Sequence, residues 1–138
     1  MGTRADFYVK KEKEMKWIAS IAWDGYPDGI DKSVLKSKTE RTFRSNLKKF
    51  LEKRDDVSYP KDGWPWPWPD SRTTDYAYIF EDNKVMASCF GGILFDPSVS
   101  EPEERADKPL NNYFPDMRKI QNVTLGNRSG LIVITAKR

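Results

Sequence analysis

The sequence predicts an α+β protein: a mainly antiparallel sheet of five or six strands with one long helix packed on it. Short segments that alternate large apolar residues with small or polar ones occur in three parts of the chain, separated by turn-forming residues. One segment, residues 31–56, instead carries apolar residues at helical spacing. The length of 138 residues fits a single globular domain covering residues 1–138.

The chain begins with a predicted hairpin. Residues 6–9 (DFYV) and 17–23 (WIASIAW) are typical strand segments, and the charged stretch KKEKEMK joins them. Successive side chains of a strand alternate between its two faces, so every second residue shares a face. The face that we expect to pack on the core holds Trp17, Ala19, Ile21 and Trp23.

A turn cluster, DGYPDG at 24–29, precedes the predicted helix. Asp31 is a favourable N-cap residue, and we expect the helix to run to about residue 55. Ser37 and Glu40 also match a capping box, so a separate first turn is an alternative. The apolar stripe that would pack this helix on the sheet consists of Leu35, Phe43, Leu47, Phe50 and Leu51.

A second hairpin is predicted downstream, where TDYAYIF and KVMASCF flank the turn EDN. On its first strand, Tyr76, Tyr78 and Phe80 share one face. The polar loop 96–116 follows, and its length indicates either function or mobility. QNVTL, GNRSG and LIVITA then predict a last hairpin, whose final strand is apolar on both faces, as is typical of a central strand.

Composition excludes several kinds of chemistry, because the chain has no histidine and only one cysteine, Cys89. Catalysis by Ser-His-Asp or Cys-His groups, imidazole metal sites and zinc clusters are therefore excluded. We expect Cys89 to be a small core residue, since no neighbouring base would generate its thiolate. No phosphate-binding glycine loop is present, and we predict no catalytic residue, no cofactor and no metal.

Two further features concern the cellular location. No apolar run approaches the length of a membrane span, and MGTRADFYV lacks the apolar core of a signal peptide. A single cysteine excludes an internal disulfide and fits a reducing compartment. We therefore expect a cytoplasmic protein with no membrane contact, while its oligomeric state is not indicated.

The formal net charge of +3 is too small for a dedicated nucleic-acid binder, but the charge is unevenly distributed. Residues 31–56 hold nine Lys and Arg against five Asp and Glu. Binding of a nucleotide or of nucleic-acid phosphates by this basic helix is physically reasonable, and a solvated helix face is the plainer interpretation. The candidate contact residues on the basic helix are Lys36, Arg41, Arg44 and Lys48.

The segment WPWPWP at 64–69 is the most unusual in the chain. Each Trp precedes a Pro, which favours extended geometry, and the prolines exclude a central strand. Three exposed indoles would leave much apolar surface in water. We therefore expect one or two indoles to lie against the domain and one to remain partly open. The segment would then be an extended edge segment that clamps the helix to the sheet. The alternative is that it forms a surface for a ligand or partner. The candidate contact residues here are Trp64, Trp66 and Trp68.

Two turns hold further candidates. Asp24, Asp28 and Asp31 form a candidate carboxylate cluster, although Asp is also common as a cap of turns and helices. Tyr26 lies in the same turn, where Pro27 makes a rigid corner against which its ring can pack. GNRSG at 126–130 is either an anion-binding backbone nest with Arg128 as a clamp or a plain hairpin loop.

MGTR at 1–4 and WDGYPDG at 23–29 together resemble an uncharacterised family of small bacterial and phage proteins. Members begin with MGTR and carry a DGYP-x-G turn after an early strand. The C-terminal stretches FPDM and VTLGNRSGLIVI of this chain also resemble that family. The resemblance implies a small cytoplasmic accessory protein of prokaryotic or phage origin, and it carries over no activity and no site residue.

Three functions follow as hypotheses. The leading one is a non-catalytic binding protein of phage or mobile-element type that occupies a host macromolecule, such as a defence or regulatory complex, with a host or phage protein as partner. The first alternative is a binder of nucleotides or other phosphate-bearing small ligands. The second alternative is a small carboxylate-dependent enzyme centred on Asp24 and Asp28.

Overall fold

The computed structural model describes residues 2–98 and the backbone of residues 132–135. The described part has an α+β fold with a six-stranded sheet. Its strands are β1 Ala5–Lys11, β2 Glu14–Ile21, β3 Val57–Ser58, β4 Tyr76–Glu81, β5 Lys84–Cys89 and β6 Ile132–Thr135. Its helices are α1 Lys32–Leu35 and α2 Glu40–Glu52, and single 3-10 turns lie at Pro27–Gly29, Pro60–Asp62 and Ser71–Thr73.

The sheet is mixed rather than purely antiparallel. Its strand order is β3-β2-β1-β4-β5, and β6 pairs with β2 beside β3. β1 and β4 run parallel, whereas the other strand pairings are antiparallel. The parallel pair is possible because β2, both helices and β3 lie between β1 and β4 in the chain, and two parallel strands need a long connection of this kind.

A β-bulge in β2 overturns the predicted face of the first hairpin. Phe7 pairs with Ala19, but the next residue of β1, Tyr8, pairs with Trp17, so that Ile18 is an extra residue. Trp17 therefore lies on the face opposite to Ala19, in a core cluster with Tyr8. The prediction that Trp17 and Trp23 share the core face with Ala19 and Ile21 is wrong. Trp23 lies beyond the strand and is 47% exposed.

Each face of the sheet has its own apolar cluster. The larger cluster lies between α2 and the sheet, and α2 contributes Phe43, Leu47, Phe50 and Leu51 to it. The smaller cluster covers the other face and consists of Tyr8, Met15, Trp17, Ala77 and Ile79, with Trp64 packed against it. The Trp-Pro segment thus covers the face that the helix leaves open. The prediction that it clamps helix to sheet is therefore wrong.

The predicted long helix is divided in two. Asp31 is the N-cap of the single-turn α1, and the main helix α2 begins at Glu40, so the separate first turn is confirmed. Thr39 caps α2, since its Oγ1 accepts a hydrogen bond from the Thr42 N–H at 3.1 Å. Ser37 is not the cap of α2, because its hydroxyl is buried and donates to the Ser33 carbonyl at 2.9 Å.

The second hairpin, β4–β5, is confirmed. Its two central turn residues, Asp82 and Asn83, have φ values of +52° and +63°, as a type I′ turn requires. Tyr76, Tyr78 and Phe80 all face the larger cluster, as predicted.

β6 pairs antiparallel with Glu14–Trp17 of β2. It pairs with no other strand of the described residues, so among them it is not the central strand that the sequence predicts. The predicted partner strand QNVTL and the loop GNRSG with Arg128 lie outside the described residues, as does the predicted loop 96–116 beyond residue 98. Within the described ranges, no helix is long and apolar enough to cross a membrane.

Candidate functional site

Four chain segments meet at one end of the sheet, where β1 and β4 begin and β2 and β5 end. Backbone hydrogen bonds join neighbouring segments: Gly25 N–H to Thr3 O at 2.8 Å, Tyr76 N–H to Arg4 O at 3.1 Å, and Phe90 N–H to Asp75 O at 3.1 Å. The segments therefore form one continuous surface. We call it the sheet-end surface and define it by Arg4, Trp23, Tyr26, Asp75, Phe90 and Ile93.

The exposed large apolar side chains of the described residues all lie on this surface. Trp23 is 47%, Tyr26 40%, Phe90 59% and Ile93 56% exposed. They occupy two turns, one after β2 and one after β5. These strands are three positions apart in the sheet, or about 15 Å, which lies well within the footprint of one protein partner.

The backbone beneath Trp23 is held firmly although its ring is open to solvent. The Asp56 carboxylate accepts hydrogen bonds from the Ala22 N–H at 2.8 Å and the Trp23 N–H at 3.0 Å. Arg54 donates to the Trp23 carbonyl at 2.6 Å and to the same carboxylate. Burial raises the pKa of Asp56, but the hydrogen bonds from Arg54 and from the two N–H groups outweigh it, and the pKa lies below its usual value.

The N-terminal segment packs directly against the DGYPDG turn. A Cβ added to Gly25 would lie 2.7 Å from the Cβ of Ala5 and 2.9 Å from the Thr3 carbonyl oxygen, so only glycine fits. From the core side, the Tyr78 hydroxyl donates to the Gly25 carbonyl at 2.6 Å. The two motifs on which the family resemblance rests are therefore neighbours in space.

Phe90 adopts a backbone conformation that is unfavourable for its side chain. Its φ is +50°, in the left-handed region, where bulky residues are rare. The strain costs on the order of 1 kcal/mol or more. Because the ring is 59% exposed, little burial offsets this cost. Phe90 therefore combines a strained backbone with an apolar ring that is open to solvent.

Arg4 lies in the middle of the sheet-end surface. Its guanidinium carbon is 5.5 Å from the ring centroid of Trp66 and 5.4 Å from that of Trp68. The two indoles stack with centroids 5.6 Å apart, and Arg4 reaches Asp75 at 3.9 Å. The guanidinium is thus oriented by cation–π contacts while its side chain stays 40% exposed.

The Trp-Pro segment is anchored through all three indole N–H groups. Trp64 donates to the Trp68 carbonyl at 2.8 Å, Trp66 to Asp6 Oδ1 at 2.8 Å, and Trp68 to Thr74 Oγ1 at 2.9 Å. All three rings are half-buried. Each ring is thus partly covered and partly open, and each N–H has the partner that it needs once its ring leaves water. The segment supports Arg4 more than it presents a surface of its own.

Asp6 is the buried anchor of this segment. Its Oδ2 accepts a hydrogen bond from the Ser71 hydroxyl at 2.5 Å, and its Oδ1 accepts one from the Ser20 hydroxyl at 2.5 Å beside the Trp66 N–H. Since the Ser71 proton points to the carboxylate, the Tyr8 hydroxyl donates to Ser71 at 2.8 Å. Three polar side chains, those of Ser20, Trp66 and Ser71, thus donate to one carboxylate, and Tyr8 joins them through Ser71.

Burial raises the pKa of Asp6, and the hydrogen bonds of Ser20, Ser71, Trp66 and Thr74 oppose this shift only in part. No Lys or Arg of the described residues forms an ion pair with it. The carboxyl group is completely inaccessible to solvent. It therefore positions the Trp-Pro segment and has no access to a substrate in this conformation.

The four residues predicted on the basic helix do not form one cluster. Arg41, Arg44 and Lys48 share the solvent side of α2, as the spacing i, i+3 and i+7 requires. Arg44 is engaged by Glu40, at 2.8 Å from its carboxylate. Lys36 is not on α2 at all, because it ends α1.

The predicted carboxylate cluster is a set of separate exposed side chains. Asp24, Asp28 and Asp31 are all exposed, and Asp24 accepts a hydrogen bond from the Tyr26 hydroxyl at 3.2 Å. The charge of Asp24 raises the pKa of Tyr26. In the chain as described, no group of three His, Cys, Asp or Glu could hold a metal ion. Cys89 is half-buried, and burial raises the pKa of its thiol.

Several residues of the sheet-end surface were not found from the sequence. Ile93 carries no signal in the sequence, Arg4 stands out only as part of the MGTR motif, and Trp23 is expected in the core. Phe90 was read as the end of a strand, yet the two glycines that follow it mark a tight turn and were the available clue.

Comparison of the chain with protein-family models, with curated proteins and with solved structures gave no match.

Proposed function

We propose that this chain is a non-catalytic binding protein that holds a protein partner through the sheet-end surface. The observation that carries the proposal is the gathering of Trp23, Tyr26, Phe90 and Ile93, all exposed, on two turns at one end of the sheet. Large exposed apolar side chains that are concentrated at one end of a domain are typical of interaction sites.

The kind of residues and their rigidity support the same function. Trp, Tyr and Arg are the residues most often found to dominate binding energy at interfaces. Trp23 stands on a backbone held by Asp56, and Arg4 is oriented by two indoles. Because these anchors are ordered before binding, little conformational entropy is lost when a partner is held.

The charges around the aromatic residues indicate the chemistry of the partner. Asp24, Asp28 and Asp31 are exposed beside Trp23 and Tyr26, and within the described residues none of the three forms an ion pair. A complementary partner presents an apolar pocket flanked by Lys or Arg. Following the family resemblance, we propose that this partner is a host macromolecule of a prokaryote, such as a protein of a defence or regulatory complex, occupied in the cytoplasm.

The proposal is tested by capture from a lysate of a prokaryotic host with matched baits. The sheet-end bait carries Trp23→Ser and Phe90→Asn, and the control bait carries Arg41→Ser and Lys48→Ser on α2. We expect wild type and control to retain one stoichiometric partner, and the sheet-end bait to lose it. The partner is then purified, and its affinity is measured by calorimetry, with a loss of at least about 2 kcal/mol expected for the double variant.

Circular dichroism of each bait verifies that it is folded. Retention of the partner by the folded sheet-end bait would contradict the proposal. Loss of the partner by the α2 bait alone would assign the contact to the basic helix instead.

A further inference from the structure

A second feature lies at the opposite end of the sheet from the sheet-end surface. There, the linker between α1 and α2 faces the β4–β5 turn across a cavity of about 330 Å³. This volume is at the lower end of the range for small-molecule sites. The cavity is lined by Leu35, Lys36, Ser37, Lys38, Asn83, Lys84, Val85, Asp96 and Ser98.

The charges lining this cavity are mainly positive. Three of the lining residues are lysines, Lys36, Lys38 and Lys84, and Asp96 is the one acid among them. Lys84 lies 3.7 Å from Asp96, which is a loose ion pair. Lys36 and Lys38 form no ion pair with any described residue. An excess of positive charge therefore surrounds the cavity.

Hydrogen bonds fix the segment that forms one wall of the cavity, although Lys36, Lys38 and Lys84 are exposed residues. The Lys36 N–H donates to the Lys32 carbonyl at 2.9 Å, which ends α1. Ser37 is buried and bonded to Ser33 and to Asn46. The apolar floor is formed by Leu35 and Val85, which are 4% and 1% exposed.

An adjoining cavity of about 350 Å³ shares Asn83 with the first and reaches Phe80 and Thr39. Its lining includes two lysines, Lys10 and Lys11, against three acids, Glu12, Glu40 and Asp82. An anionic group is therefore favoured in the first cavity, and the uncharged part of a ligand has room in the second.

We propose that the first cavity binds a small phosphate-bearing ligand, with the phosphate held by Lys36, Lys38 and Lys84. Lysine ammonium groups are common phosphate ligands in proteins, and an apolar floor beside them suits the rest of an organic phosphate. When phosphate binds, Lys84 exchanges its loose contact with Asp96 for the ligand. This site is separate from the sheet-end surface and adds to the protein-binding function.

The experiment titrates inorganic phosphate, pyrophosphate and AMP into the full chain and follows backbone amide resonances by NMR. We expect saturable shifts confined to Lys36–Lys38 and Asn83–Val85. Stronger binding of AMP than of pyrophosphate identifies an organic phosphate as the ligand class, and the reverse order identifies a free polyphosphate. No saturable shift with any of the three would overturn the proposal.

Variants that remove the same charge at different places distinguish binding at this cavity from nonspecific attraction of anions to a basic protein. Lys36→Gln and Lys38→Gln should each weaken binding about fivefold, and Asp96→Asn should strengthen it by about the same factor. Lys48→Gln and Lys53→Gln, which remove the same charge elsewhere, should leave the affinity unchanged. Equal weakening by all four lysine variants would mean nonspecific attraction and would contradict the proposal. The sheet-end double variant should bind phosphate like wild type, so the two functions fail separately.

Discussion

Phe90 places an exposed aromatic ring on a strained backbone, and the two properties can be separated by substitution. Asn tolerates a positive φ far better than Phe. Phe90→Asn should therefore raise the free energy of unfolding by about 1 kcal/mol, while it removes an anchor of the proposed partner contact. Urea denaturation measures the first effect, and calorimetry with the partner measures the second.

Ile93→Asn is the control, because Ile93 is equally exposed in the same turn but does not have a positive φ. Its free energy of unfolding should change by less than about 0.5 kcal/mol. Destabilisation by Phe90→Asn would show that the ring packs on the domain, contrary to the assignment of strain.

Asp6 makes the free energy of unfolding depend on pH. The direction is opposite to that of the carboxylates with a lowered pKa, which are Glu40, Asp56 and Asp96. Its pKa is raised in the folded state, so the folded state binds the proton more tightly than the unfolded chain. The contribution of Asp6 to stability is therefore fully present below the unfolded pKa, about 3.9, and is lost as pH rises through the folded pKa. Tyr8, its titratable neighbour, stays protonated because burial raises its pKa as well.

Asp6→Asn removes this titration and keeps the size of the side chain. The stability of the variant relative to wild type should therefore rise with pH from about pH 4 upward. Urea denaturation of both proteins across about pH 3 to 8 measures the difference, in which the opposite contributions of Glu40, Asp56 and Asp96 cancel. Parallel curves over the whole range would contradict the role given to Asp6.

At the scale of elements, the start of α2 depends on Thr39 rather than on Ser37. Thr39→Ala removes the acceptor of the Thr42 N–H and should lower the free energy of unfolding by about 1 kcal/mol. Ser45→Ala, at an exposed position of the same helix, should change it by less than about 0.5 kcal/mol. Thermal and urea unfolding compare the two variants. Equal effects would mean that the cap contributes nothing.

The DGYPDG turn and the N-terminal segment behave as one element because Gly25 brings them into contact. Gly25→Ala would force its methyl group against Ala5 and Thr3, and overpacking of this kind typically costs about 1–3 kcal/mol. It should also displace Trp23 and weaken partner binding. Asp28→Ala, an exposed position of the same turn, is the control for stability and should be close to neutral.

For the molecule as a whole, two apolar clusters share one sheet. Trp17 and Trp64 of the Trp-Pro segment lie with the smaller cluster, and α2 lies with the larger one. Because the clusters have the strands between them in common, we expect them to unfold together. Tryptophan fluorescence and helix ellipticity should then give the same urea midpoint. Separate midpoints would show that the Trp-Pro layer detaches before the helix.

Where local chemistry dominates, prediction from the sequence succeeded. The β4–β5 hairpin was found because turn residues that tolerate positive φ separate two alternating segments. The division of α2 from α1 was among the alternatives because Ser37 and Glu40 match a capping box, although Thr39 is the residue that caps α2. The face of Trp17 was predicted wrongly, because a bulge at Ile18 inverts the alternation and depends on pairing with β1. Of the residues singled out from the sequence, Tyr26 lies on the sheet-end surface, whereas Arg4 and Phe90 come to the same end of the sheet only through the pairing of β4 with β1 and with β5.

The residues alone establish an α+β chain without histidine chemistry. They also establish a basic helix and an aromatic segment that must be largely covered. These features can be read from the sequence because composition, spacing and turn chemistry are local properties. Strand order, the assignment of the Trp-Pro segment to the face opposite α2, and the burial of Asp6 beneath it follow only from the tertiary structure. The physical reason is that each depends on contacts between segments far apart in the chain, such as Asp6 with Ser71, and the geometry of such contacts is not encoded in any one segment.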